Sequence, residues 1–219
     1  PRRRLLDLEA ARRYNRYMTS GLTIGLAALA AAAMAQPLTD GERRRAIGEL
    51  EASRKALLDT VAALTPDQWT FKPAPDRWSI AECVEHIALA EDSYFRLITG
   101  RLAKSPPEPE KRAEVLGKDD EVLRKMPDRS SKRQTSQALE PRGKTPQEAL
   151  DHFRRSRERF LEYVRTSSDD LRNHFAAHRA VGLIDGYQWV LLAAGHTLRH
   201  IDQIREVMRD PKFPPAAGR

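Results

Sequence analysis

Apolar residues recur at three-and-four spacing in four separate stretches of the chain, and almost nowhere do they alternate as a strand requires. The first stretch carries Ile47, Leu50, Leu57, Leu58, Val61 and Leu64 behind a cap at Thr39 or Asp40, and Thr65 and Pro66 end it. After the turn-rich segment TPDQWTFKPAPDRW, Ser79 opens a second helix with Ile80, Val84, Ile87, Tyr94 and Leu97 on one face and Gly100 as its stop. A third helix begins at TPQE, residues 145–148, where Thr at the N-cap, Pro at the first helical position and Glu at the third form a capping box. Leu150, Phe153, Phe160, Leu161 and Val164 mark its buried stripe. The fourth runs from near Asp185 to about Arg209, and Pro211, Pro214 and Pro215 prevent its extension. Residues 100–144 hold few large apolar groups and much mixed charge, and read as a long connection with room for one short helix. The pattern predicts an all-α, up-and-down four-helix bundle with that connection between helices 2 and 3.

The ends of the chain carry other signals. Residues 18–36, MTSGLTIGLAALAAAAMAQ, contain a 12-residue apolar run from Gly21 to Ala32 and then small residues at the positions a signal peptidase inspects. The run is shorter than the roughly 20 residues that span a bilayer. The expected organisation is a signal peptide with an upstream extension over residues 1–35, the bundle over 36–209, and a disordered C-terminal tail over 210–219. Cleavage is expected after Ala35, which makes the mature protein secreted or periplasmic, without stable membrane insertion.

That division changes the charge argument. The whole chain has 38 basic and 31 acidic residues, a net +7, but the leader alone holds six Arg against Asp7 and Glu9. The remaining +3 is spread over interleaved acids and bases with no aromatic stacking platform, which argues against a nucleic-acid partner. Cys83 is the one cysteine, so the fold has no intramolecular disulfide.

The candidate chemistry lies in GHTLRHIDQI, residues 195–204. With about 100° per residue and His196 at zero, His200 falls near ~40° and Gln203 near ~340°, in the sector of Trp189, Leu192, Ala193 and Val207. Asp202, Arg205 and Glu206 take the other side and Arg199 the boundary. An imidazole in an apolar interior needs partners for both nitrogens, and a metal ion satisfies one on each ring. Buried histidines bonded to carbonyls or carboxylates have the same spacing, so the pair alone leaves both readings open. In WSIAECVEHIALAED the inward sector holds Ser79, Cys83, His86 and Ala90, with Glu85 and Asp92 outward and Glu82 at the edge. Three inward histidines on two helices leave a fourth position for water, as in catalytic rather than structural zinc-like sites.

DRWSIAECVEHIALAED and GHTLRHIDQI resemble the two signature segments of the DinB-like superfamily: a Trp-Ser-Ile helix start, a His seven residues after the Ser, and a closing His-x-x-x-His-x-x-Gln. The resemblance implies a bundle over roughly residues 40–209 with a divalent ion held by His86, His196 and His200. It implies little about the substrate, expected to be an unknown small molecule, because the superfamily is chemically mixed and includes thiol transferases acting with bacillithiol or mycothiol. A secretion signal departs from that pattern, because those thiols are cytosolic.

The reading that follows is a divalent-metal-dependent enzyme of hydrolase or thiol-transferase type. The alternatives are a non-catalytic metal-binding or stress-related bundle, and a structural bundle with no ion. Glu82 is the candidate general base or support for His86, against a plain helix-start carboxylate. Gln203 is the candidate to orient water or substrate, against a filler of the bundle. Zinc, nickel and iron all suit imidazole donors, and a homodimer is left open. Cys83 reads as a small hydrophobe and Trp78 and Trp189 as packing beside the site. His174 and His178 share the four-residue spacing but lie in a polar segment, and are expected to be exposed titrating groups. His152 is expected on the surface of the third helix.

Overall fold

The structure is a computed structural model that describes residues 36–130 and 134–216; the expected signal peptide lies outside the described residues. Four long helices form the frame: α1 Asp40–Val61, α3 Ile80–Arg96, α5 Pro146–Thr166 and α6 Gly186–Met208. A short α2, Pro66–Thr70, follows α1, and α4, Lys118–Lys125, lies in the long connection. Each of α1, α2, α3, α5 and α6 starts with a reciprocal capping box, at Thr39/Glu42, Thr65/Gln68, Ser79/Glu82, Thr145/Glu148 and Asp185/Gln188. The side-chain oxygens meet N–H groups that the first turn leaves without a helical partner, which fixes where each helix begins.

The main packing contacts join α3 to α5 and α6, and α1 to α5 and α6. Helices consecutive in sequence, α1 with α3 and α5 with α6, therefore lie diagonally across the bundle. This order puts α3 beside α6, the two helices that carry the candidate histidines. The bundle holds its core in two clusters, one with Leu50, Phe160 and Tyr187 and the other with Leu57, Ile80, Phe153 and Ile204. In its middle Arg157, fully buried, donates to the Glu91 carboxylate, to Ser53 Oγ at 2.8 Å and to Thr197 Oγ1 at 2.9 Å, tying together all four long helices. Among the described residues no helix is long and apolar enough to cross a membrane.

Several details differ from the sequence reading. Residues 175–185 form an antiparallel hairpin, β1 Phe175–His178 and β2 Gly182–Asp185, in a chain expected to lack strands. Four-residue strands are too short to show an alternating pattern, and Gly182, at φ +73°, makes the reversal between them. Gly100, expected to stop the second helix, sits within a π-helical turn, Leu97–Arg101, that prolongs it. Residues 66–70 are helical instead of a turn. The described part of the expected disordered tail folds back: Phe213 packs edge-on against Phe71 at 5.5 Å, and the Pro214 carbonyl accepts from Gln68 Nε2 at 2.9 Å.

Candidate metal centre

Ser79 caps α3, so the helix register from that point brings His86 inward two turns later. On α6, His196 and His200 occupy successive turns of one face. The three rings converge, with centroids 5.1 Å (His86–His196), 4.5 Å (His86–His200) and 4.5 Å (His196–His200) apart. One nitrogen from each lies within 4.8 Å of the others. All three residues are buried.

The hydrogen bonds decide which nitrogens face the centre. A carbonyl oxygen only accepts, so the Leu139 carbonyl at 2.8 Å requires the proton of His86 on Nδ1 and leaves Nε2 as a lone pair. Gln203 Oε1 lies 2.9 Å from His200 Nδ1 and also accepts from Arg129 at 3.3 Å, which identifies it as the oxygen and puts the proton of His200 on Nδ1. His200 Nε2 then faces His196 Nε2 at 3.2 Å. Two donors at about 2.0–2.1 Å from a tetrahedral ion would lie roughly 3.3 Å apart, so this spacing fits a shared cation. The other nitrogen of His196, Nδ1, is buried without a hydrogen-bond partner among the described residues. Burial holds His86 below the usual imidazole range. His196 and His200 lie well below it, first through burial and then through the neighbouring imidazoles. All three are thus kept neutral near pH 7, the form that can donate a lone pair.

The structure brings together His86, His196, His200 and Gln203, and does not bring Glu82 to them. The Glu82 carboxylate accepts from the Ser79 N–H at 2.7 Å and from Lys72 Nζ at 2.9 Å, the work of a helix cap and an ion pair. Gln203 orients the His200 ring. Trp78 lies against His86 (4.8 Å) and stacks at 6.2 Å on His200, and Tyr94 meets His196 edge-on at 5.6 Å. Cys83 is fully buried and burial pushes its thiol up to about 12, so it is an inert core group.

Glu85, expected to face outward, is fully buried, and its Oε2 accepts the Gly143 and Lys144 N–H groups at 3.1 Å each. The long connection covers that face of α3, and the same connection delivers the Leu139 carbonyl to His86. Asp92 is half-buried and accepts from His152 Nε2 at 2.9 Å and Ser156 Oγ at 2.6 Å, so neither Asp92 nor His152 is a free surface group. His174 is buried beside Ser105 at 3.1 Å. His178, also expected to be exposed, stands edge-on to Trp189 at 5.3 Å and lines the cavity into which His86, His196 and His200 open. Arg199, placed at the boundary, is buried and donates to the Asp128 carbonyl.

Comparison with known proteins agrees with this architecture. A search of curated proteins finds no match. Among solved structures, TT2238, described as a four-helix bundle protein, is 25% identical, with 75% of this chain and 98% of that one covered and a TM-score of 0.48. YfiT from Bacillus subtilis, described as a probable metal-dependent hydrolase with an unusual four-helix bundle topology, is 18% identical, with 81% and 91% covered and a TM-score of 0.51. It shares the fold. The family model described as the DinB superfamily matches residues 49–204, a span that contains all three histidines, and the chain belongs to that superfamily.

Proposed function

We propose that this protein is a divalent-metal-dependent enzyme of hydrolase type, with His86, His196 and His200 as ligands and a small molecule as substrate. The observation that carries the reading is the convergence of three neutral, buried imidazoles on one point at the wall of a cavity of about 320 Å³. The donor set fits an ion. Without one, a single proton has to serve the facing nitrogens of His196 and His200, and His196 Nδ1 has no partner. A divalent ion bound there supplies Lewis acidity for a carbonyl and acidifies water. Zinc, nickel and iron all suit the donors.

The chain's own residues do the rest. Leu139 and Gln203 fix the rings so that the ligand nitrogens are presented without reorganisation. Tyr94, Met126 and Leu139 give the cavity apolar lining, and Thr135 and Ser136, which also line it, offer hydroxyls for hydrogen bonds. Hydrolysis is favoured over thiol transfer because the export expected from residues 18–36 would take the protein away from cytosolic thiols. The description of YfiT points the same way.

The test is a panel of model esters, amides and thiol acceptors offered to protein loaded in turn with zinc, nickel and iron. Ester or amide cleavage that disappears in His86→Ala is the expected result. A loaded protein inert toward the whole panel would favour a metal-binding bundle without turnover. Export is checked separately, by Gln36 at the mature N-terminus.

A further inference from the structure

Two cavities meet at His200. The one of about 350 Å³ touches only that histidine of the three, and sets Arg77 and Arg129 beside the acids Asp76 and Glu140. The one of about 320 Å³ is lined by His86, His196 and His200 together, so the open side of the cluster faces it. Among the described residues lining this second cavity there is no carboxylate; its formally charged side chains are Arg179 and Arg199. Arg199 lines both cavities, whereas Arg179 lines only this one, where a guanidinium near three metal-donor nitrogens and no carboxylate among the described lining residues suit an anionic ligand.

The two arginines are held in place. Arg179 follows His178 where β1 turns toward β2, is exposed, and donates to the Gln134 carbonyl. A guanidinium has five N–H donors in a rigid fork, so a carbonyl contact fixes its plane and leaves the fork shape to match a carboxylate. Arg199 stands between His196 and His200 in sequence, buried against the Asp128 carbonyl. Tyr94, Met126 and Leu139 line the same cavity and suit an apolar body. At about 30 Å³ per water the cavity has room for roughly ten waters, so the ligand is small.

We infer that the substrate is a small organic anion, an ester or amide with a carboxylate at its far end, gripped by Arg179 at the cavity mouth while its acyl group reaches the three histidines. The inference rests on the metal-dependent reading above and gives it a substrate class. Hydrolysis of such a compound needs water alone: the oxygen of water bonds to the acyl carbon, the acyl–O or acyl–N bond breaks, and the leaving group takes a proton.

Two ligands separate the carboxylate end from the metal end. Succinate monohydroxamate carries a metal-binding group and a distal carboxylate; its distal primary amide is neutral and of the same size. Binding to the full chain loaded with cobalt(II) is followed by the visible absorption of the ion, with acetohydroxamate as a reference that lacks the distal group. The acid should bind at least about tenfold more tightly than the amide, as charge-assisted pairing implies. In Arg179→Gln that preference should vanish while cobalt content and acetohydroxamate affinity stay at wild-type values. Equal binding of acid and amide to the wild type, or a preference that survives in Arg179→Gln, overturns the inference. If the wild type retains no cobalt and does not respond to acetohydroxamate, the metal-dependent reading itself fails, and the substrate class with it.

Discussion

Arg157 offers the sharpest test of what holds the bundle, because its guanidinium is 0% exposed and its partner Glu91 only 1%. Burial pushes the Glu91 carboxyl up, against the pull of Arg157. In Arg157→Met the three other acceptors of the guanidinium keep bonds of their own: Ser53 Oγ still donates to Glu49 at 2.9 Å, Thr197 Oγ1 to Ala193 at 3.2 Å, and the Leu50 carbonyl still accepts within its helix. Only Glu91 is stranded. A buried carboxyl that loses its cation costs about 3–5 kcal/mol, or roughly 6–20 °C in Tm at about 2–4 °C per kcal/mol for a domain of this size. Replacing both partners, Arg157→Met with Glu91→Leu, removes the stranded charge, and this variant should recover to within about 2 kcal/mol of wild type. Urea unfolding followed by far-ultraviolet circular dichroism measures all four corners of the cycle. A single variant within about 1 kcal/mol of wild type, or a double variant no more stable than the single, would refute the assignment of the loss to a stranded carboxyl.

Three further outcomes follow from the site. Gln203→Leu removes the acceptor that orients His200 and should weaken metal affinity by about 10–100-fold in a chelator competition; unchanged affinity would make Gln203 a filler of the bundle. Acid should destabilise the metal-free protein. Burial holds His196 and His200 well below the value of about 6.5 that they have in the unfolded chain, so the unfolded state takes up protons first and stability is lost as pH falls below that value. Between about pH 7.5 and about pH 5.5 the wild-type Tm should therefore fall more steeply than that of His196→Leu, and equal slopes would contradict the neutral, desolvated state assigned to these rings. Cys83, with its thiol near 12, should react with a thiol reagent only after unfolding, and rapid labelling of the native protein would show that α3 packs differently.

The frame of the bundle was legible because caps and apolar stripes are local. Thr39, Ser79, Thr145 and Asp185 start helices where the pattern predicts, and the wheel that put His86, His196 and His200 inward depends only on residues one or two turns apart. What was hidden involves the connection and the hairpin. Glu85 reads as outward on its own helix, and becomes buried because Gly143 and Lys144, almost sixty residues on, bring N–H groups to it. Arg199 reads as a boundary residue of its helix and His178 as part of a polar stretch, and only the fold shows that Asp128 lies over one and that β1 carries the other to the cavity wall. His178 repeats the spacing to His174 that His196 and His200 show, but His178 ends β1 and His174 precedes it, so the two rings do not stand on successive helical turns. The diagonal placement of consecutive helices is equally a matter of packing, which no local pattern encodes.

Metal content is the measurement that bears most directly on the central claim. Full-length protein made without a histidine tag is stripped, reconstituted with zinc, passed through a desalting column and assayed by elemental analysis. The expected result is about one equivalent per chain in the wild type and almost none in His196→Ala, with the circular dichroism of the variant still helical. Equally little metal in the wild type and in the triple variant His86→Ala/His196→Ala/His200→Ala would contradict it, and would leave three neutral imidazoles packed together for the sake of the core alone.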